Sequence, residues 1–452
     1  MKFYNREREQ VFFETLVKAQ GKKFVVLYGR RRIGKTFLMK KLFPDAKYFF
    51  VEVKRQEVLL KEFSQDISKA IFLNWYDFFI ELFSKGKVIV FDEFQNFFLV
   101  EPSILSALQH AWDDTESEVK LIVLGSYVGL MKKLFMDNKL PLFGRSDYFI
   151  KLKPFGVLES VSILRKFGYS LKDAIEIYCI TGGVPKYLLH FQDKRRLSDK
   201  IFELFIDEFG PLKEEAKNLL VLEFGSEHRS FFSILEAIGA NSRSLSEISD
   251  LTGINSKSIS KFLDDLLNAY DIVEREMPVF GRKTRGSKYI IKDKFYRFYF
   301  QLLYRNLKEI DFRPNEVHKR ILENFPTYMG ITFEDVCAEI FKEKGKELLG
   351  FAPQGIGKQW GKVPGTKNET YDIDIVVFDE EHIAFVECKW TNKKVGLETY
   401  RKLIERSTYI NTANKQVSYV IVSKSGFTRD LLEMNDKSVF LFTPEELFAE
   451  SK

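Results

Sequence analysis

Cysteine and histidine are scarce, at 3 and 5 of 452 residues. Cys179, Cys337 and Cys388 form no close pair and the histidines have no ligand-like spacing, which argues against a disulfide framework and against a zinc site. Any metal is then expected to be a hard ion held by oxygens. No apolar run approaches the ~18 residues that a membrane span needs. The opening MKFYNREREQ has no apolar signal segment, so a cytoplasmic chain without a membrane partner is expected. Repeats of fixed period and low-complexity linkers are also missing, so domain limits must come from changes in pattern. The net charge of +6 is a mild basic bias that permits a nucleic-acid partner without demonstrating one.

Hydrophobic residues make up 45% of the chain, enough for several ordinary cores. The first part alternates short β-branched runs (Lys23 to Tyr28, Tyr48 to Val53, Val88 to Phe91, Leu121 to Leu124) with longer helical stretches. Such alternation predicts an α/β domain over residues 1–154, a parallel sheet with helices on both faces. From 155 to 213 the pattern turns helical, which reads as a lid. Residues 214–305 hold three helix-like segments and a hairpin. After a charged connection through Pro314, residues 315–452 form a second α/β region, with a helix expected at Ile331 to Lys344.

Gly29 to Thr36 reads GRRRIGKT, follows the apolar strand KFVVLYG and opens the helical run FLMKKLF. This is the pattern and the context of a phosphate-binding loop. Backbone N–H groups over Gly29, Arg30, Arg31, Arg32, Ile33, Gly34, Lys35, Thr36 and Phe37 are expected to hold ATP, with Lys35 on the terminal phosphates and the Thr36 hydroxyl on Mg²⁺. The strand VIVFDE ends in two acids at the edge where open α/β sheets bind ligands. Asp92 is assigned to the Mg²⁺ shell and Glu93 to polarising the attacking water. Ser126 closes the next strand, LIVLGS, where it either contacts the γ-phosphate or water, or caps the following helix.

In this order, GRRRIGKT, VIVFDEFQNF, LIVLGSYVGLM, PLFGRSDYFIKLKPF and TGGVPKYLL, with FYNREREQ at the start, resemble archaeal-type P-loop ATPases related to the AAA+ and STAND classes. The resemblance implies that Arg145 is an arginine finger or sensor, with an ordinary ion-pairing arginine as the alternative. It also implies that Arg30, Arg31 and Arg32 meet nucleotide or a neighbouring subunit, and it favours a homo-oligomer.

Ser244 to Thr252, Gly253, and a second helix capped by Asn255 match a helix-turn-helix. Ser256, Lys257, Ser258 and Lys261 lie at the N-terminal end of the second helix, where a recognition helix meets DNA. A winged form needs a hairpin next, and VEREMPVFGRKTRGSKYIIKD supplies one whose Arg282, Lys283, Arg285 and Lys288 suit a phosphate-gripping tip. The alternative is a wing that docks inside its own molecule.

YDIDIVVFDEEHIAFVECKW, Tyr371 to Trp390, places acids inside two apolar runs. With a turn at Glu380 and Glu381, Phe378 opposes Ile383, Val376 opposes Phe385, Asp374 opposes Glu387 and Asp372 opposes Lys389, and period-2 alternation puts all eight on one face. Facing carboxylates repel, so one pKa should rise sharply unless a cation intervenes. Mg²⁺ held by Asp374 and Glu387, with Lys389 beside it, suits phosphodiester hydrolysis. Asp followed by Glu-x-Lys on the adjoining strand resembles the PD-(D/E)xK nuclease fold, which adds Glu334 as a metal ligand from the preceding helix. Salt bridges at a strand end, or a relic that only binds DNA, are the alternatives. The combined expectation is an ATPase with a helical lid, a winged helix-turn-helix and a restriction-endonuclease-like domain, processing DNA with ATP and Mg²⁺. Its rival is a STAND-like switch that does not cut.

Overall fold

The computed structural model describes residues 6–67, 71–239, 241–280, 286–366, 369–412 and 414–449. Arg282, Lys283 and Arg285 lie outside these residues. The chain divides into two compact units. One runs to Pro154 and includes the short segments Val184–Lys186 and Asn268–Asp271, and the other holds the remainder.

The first unit is built on five parallel strands: β1 (Lys23–Tyr28), β2 (Lys47–Phe50), β3 (Val88–Asp92), β4 (Lys120–Gly125) and β5 (Tyr148–Lys151). They lie in the order β2-β3-β4-β1-β5. β4 is buried along its whole length and β1 at all but its first residue. Near-continuous apolar runs of this kind mark a parallel sheet covered on both faces. Alternation then assigns each side chain to a face. Phe24, Val26, Ile89, Phe91, Leu121 and Val123 join a phenylalanine-rich core with Phe63, Trp75, Phe78 and Phe97. Val25, Leu27, Val90, Ile122 and Leu124 meet Phe13, Leu38 and Met39 on the other side.

In the second unit, the helices His228–Gly239, Leu245–Thr252 and Ser256–Asp264 precede the antiparallel hairpin β6 (Val273–Glu276) and β7 (Lys288–Ile291). Ser244 and Glu247 close a capping box on the second helix, which ends at Gly253 with φ 68°. The Asn255 side chain caps the third by accepting from the Ser258 N–H at 2.9 Å. Arg243 bridges Tyr289 of β7 as a further antiparallel pair.

One helix then spans Pro314–Leu349, 36 residues or roughly 54 Å. It corrects the shorter Ile331–Lys344 expectation. Pro314 occupies the first turn, where its missing N–H is no loss, and Pro326 is carried inside the helix.

This helix is anchored by charges that have left water. Arg297 is 2% exposed; its Nε donates to the Ile291 carbonyl at 2.8 Å and its guanidinium pairs with Asp335 at 2.5 Å. Although burial pushes the Asp335 carboxyl up, Arg297 and the neighbouring lysines Lys358 and Lys294 hold it down at about 2. Lys294 pairs with Glu339 at 2.6 Å, and Glu339 also accepts from Tyr178 at 2.6 Å. Breaking such a pair leaves a buried charge alone. Arg297→Ala is expected to cost about 3–5 kcal/mol in denaturant unfolding, and adding Asp335→Leu to recover much of it.

The chain ends in a mixed sheet of β8 (Gly355–Lys362), β9 (Thr370–Phe378), β10 (His382–Lys389), β11 (Gln416–Ser423) and β12 (Val439–Phe442), in the order β12-β11-β10-β9-β8. β8 and β10 each run antiparallel to β9 between them, and β10, β11 and β12 run parallel. Leu403 of the helix Leu397–Ser407 packs on one face, against Val376, Ile383 and Phe385. Phe333 of the long helix meets Trp390, ring centroids 4.5 Å apart.

Candidate functional site

The loop between β1 and the helix Lys35–Leu42 needs a backbone that few residues tolerate. Gly29 has φ 155°, and a Cβ there would lie 2.4 Å from the Leu152 carbonyl oxygen. Arg32 and Gly34 are also left-handed, at φ 73° and 92°. The Lys35 amine folds over the loop and donates to the carbonyls of Gly29 at 2.7 Å and Arg30 at 2.9 Å. Arg6 ties the loop down by donating to the carbonyls of Lys153 at 2.7 Å and Ile33 at 3.3 Å. Arg31 donates to the Tyr127 hydroxyl at 3.1 Å and lies over its ring. Phe37, one of the expected nucleotide contacts, is exposed on the helix that follows the loop.

Asp92 and Glu93 end β3 on the same edge of the sheet. Asp92, 2% exposed, accepts from the Thr36 hydroxyl at 2.6 Å and from the Tyr48 phenol. Burial and this carboxylate together raise the Tyr48 pKa, so it stays a donor. Glu93 sits at φ 53°, a strained setting for a residue with a side chain. Gln95 clamps it at 2.5 Å and Ser126 at 2.9 Å. Because β4 lies between β1 and β3, its last residues fall between the phosphate loop and the two acids. Ser126 therefore reaches Glu93. The N-cap position of the following helix is Tyr127, which supplies no side-chain cap, so Ser126 is not its cap.

Lys35, Thr36, Asp92, Glu93 and Ser126 are thus gathered at one sheet edge. Arg145 is not among them. It precedes β5 at the opposite edge, where it pairs with Asp113 at 3.1 Å. Sequence reasoning missed Gln95, which holds Glu93 from two residues away, and Tyr48 and the anchoring role of Arg6, whose partners lie in other strands or loops with no local pattern to announce them.

At the C-terminal hairpin the expected pairs Phe378 with Ile383 and Val376 with Phe385 are present. The paired register stops at Val386 with Ile375. On the other side, β8 advances two residues from Gly357 to Gln359 while β9 advances three, from Val376 to Ile373. This bulge corrects the eight-residue face: Tyr371 and Ile373, not Asp372 and Asp374, join the cluster of Val376 and Phe385. Bulges re-aim a side chain and increase local twist. Here Asp374, 9% exposed, turns to accept from the Cys388 N–H at 2.8 Å. Asp372 is left at the surface, 3.8 Å from Arg406.

Glu387, 6% exposed, lies between Lys389 at 2.5 Å and Arg406 at 3.5 Å. Glu334 pairs with Lys358 at 2.9 Å, and Lys358 reaches Glu276 of β6 at 3.6 Å. Burial, then the charges of Glu334 and Glu387, push the Asp374 pKa up to about 8. Burial raises Glu334 as well. Burial works against the Lys389 ammonium, but Asp374 and Glu387 outweigh it and raise its pKa. Among the described residues, no group of three or more His, Cys, Asp or Glu side chains is placed to hold a metal ion. Cys388 is buried against Cys337, and burial, with the charges of Asp374 and Glu334 nearby, pushes its thiol up.

Of the residues expected to meet DNA, Ser256, Lys257 and Lys261 are exposed on their helix and Ser258 is half-buried. Lys288 instead lies over the Trp360 ring of β8, 5.1 Å from its centroid. The segment after β6 follows it: Val279 N–H donates to the Lys358 carbonyl at 3.1 Å and Phe280 N–H to the Gln359 side chain at 2.8 Å. The hairpin is therefore stitched to the edge of the mixed sheet.

In comparison with known proteins, residues 21–160 match a family described as "AAA domain". Residues 299–401 match one described as "Archaea bacterial proteins of unknown function". An uncharacterized protein of Methanocaldococcus jannaschii is 29% identical over 437 residues, covering 93% of this chain and 95% of that one. Among solved structures, the Walker-type ATPase of Pyrococcus abyssi aligns at 19% identity and TM-score 0.49, over 66% of this chain and 96% of that one. The ORC2 protein of Aeropyrum pernix aligns at 12% and 0.44, over 71% and 96%. No helix among the described residues is long and apolar enough to cross a membrane. With the loop, the two acids and the AAA match on one segment, residues 21–160 form a P-loop domain of the ATPase type.

Proposed function

We propose that the chain couples Mg-ATP hydrolysis in its first unit to binding and cutting of DNA by its second. In the first unit Lys35 would hold the terminal phosphates, Thr36 and Asp92 would hold Mg²⁺, and Glu93 would orient the attacking water. Their all-oxygen donor set suits that ion. Arg145 would act on the nucleotide of a neighbouring copy.

The reading of the second unit rests on one observation. Asp374 and Glu387 are both buried, with the partly exposed Lys389 beside Glu387 near the end of β10, a costly arrangement that packing alone does not require. Two carboxylates fit Mg²⁺, which keeps several waters and commonly takes only one or two protein carboxylates. Glu334, committed to Lys358, would act on the pair through its charge unless it releases that lysine. Bound Mg²⁺ would supply charge neutralisation and a nucleophile at neutral pH. Lys389 would orient that nucleophile and offset charge on the phosphate in flight.

The helix-turn-helix reading has Ser256, Lys257, Ser258 and Lys261 as the DNA-facing end. The rival switch reading is favoured by a particular feature: the hairpin is packed on β8 and Lys288 is spent on Trp360. A gel-shift series across salt separates the two. DNA binding through the helix predicts that Lys257→Ala with Lys261→Ala reduces the slope of log affinity against log salt by about 2. An unchanged slope, or no shift for the parent, would favour the switch.

A further inference from the structure

We infer that the second unit holds a binding site for a single nucleotide, built from residues that belong to neither the phosphate loop nor the Asp374 cluster. A cavity of about 350 Å³ opens between Asn241, the turns over residues 299–306 and the first half of the long helix. Its lining includes Arg305 and Arg320 and the amides of Asn241, Gln301, Asn306 and Asn324, with no aspartate or glutamate. Leu302 and Ile321 add apolar surface. Gln301 lies in a π-helical turn, Tyr299–Leu303, a wide and uncommon backbone form often found at functional sites.

Two lining residues carry polar atoms closed off from solvent with no hydrogen-bond partner, Gln301 Oε1 and Arg320 Nε. One needs a donor and the other an acceptor. Asn306 and Asn324 each donate one side-chain N–H to a carbonyl, of Leu302 and Arg320 at 2.7 and 2.8 Å, which leaves each amide an oxygen acceptor and a second N–H donor. Arg320 also pairs with Glu309 at 2.7 Å, and Arg305 with Glu236 at 3.6 Å; these half-exposed pairs hold two guanidinium groups at the cavity.

A simple anion would satisfy the arginines and leave the amide acceptors bare, and an apolar ligand would satisfy neither. A nucleobase edge donates and accepts at once, and amide side chains pair with such edges. Its phosphate matches the guanidinium groups. The volume is at the low end of the ~300–1,000 Å³ of ligand pockets, suited to one nucleotide and not two. A free mononucleotide and the last nucleotide of a strand offer the same chemistry.

The test is equilibrium dialysis of the full chain carrying Lys35→Ala, in EDTA, against each of the four labelled 5′-mononucleotides. At least one is expected to bind with Kd at or below about 1 mM. Gln301→Leu should weaken it by about tenfold or more, and Asn324→Leu serves as a second variant should the first fail to fold. Competition by unlabelled single-stranded DNA would assign the site to a strand terminus, and its absence to a free nucleotide. No binding of any of the four, or binding that neither variant alters, would overturn the inference.

Discussion

Lys35→Ala should lower ATP turnover by at least about 10²–10³-fold, because under the proposed function the lost ammonium would meet the phosphoryl group as it transfers. The amine is 5% exposed and spends its hydrogen bonds on two carbonyls of its own loop. Both carbonyls belong to the phosphate loop, so the loss is expected to act on that loop more than on the rest of the fold. The variant should therefore melt within a few degrees of the parent while its phosphate release falls to background. Turnover at the parental rate would mean that hydrolysis takes place elsewhere.

Asp374→Asn should abolish divalent-dependent nicking and, in EDTA, stabilise the chain increasingly as pH rises. The folded pKa of about 8 lies above the ordinary value of 3.8, so the folded state keeps a proton that the unfolded chain gives up. Between those two values stability falls with rising pH, at up to about 1.4 kcal/mol per unit for a single group. Asparagine keeps the acceptor for the Cys388 N–H and removes the titration. Melting temperatures of parent and variant should thus be close at pH 4 and separate by pH 8, with the variant higher. Adding Mg²⁺ should narrow the gap by raising the parent alone. A gap that does not change with pH would mean that Asp374 is ionised in the fold without penalty.

Where an element is both regular and locally encoded, the sequence was readable. KFVVLYGRRRIGKT and VIVFDE carry an apolar run, turn glycines and charged ends in contiguous order, so β1, β3 and the glycine loop between β1 and its helix were legible at once. The Asn255 cap and Gly253 stop were legible for the same reason. What failed depended on partners far along the chain. β8 reads GIGKQWGK, without alternation, and is a strand because β9 supplies its ladder. Pro314 looks like a break but begins a helix. Period-2 counting through Asp374 was broken by a bulge that only the β8 pairing reveals, and Tyr48 meets Asp92 across two strands. The pairing of Lys288 with Trp360 lay equally out of reach, since a basic residue two positions after a glycine looks the same whether it grips phosphate or an indole ring.

End-labelled duplex DNA incubated with the parent chain and with Asp374→Asn, with and without ATP, in Mg²⁺, Mn²⁺ or EDTA, tests the coupling of the two units most directly. The account predicts strand cleavage by the parent in either metal, at a rate that changes with ATP, and none in EDTA or by the variant. Intact DNA in every parent reaction, or cleavage that continues in EDTA, would contradict it.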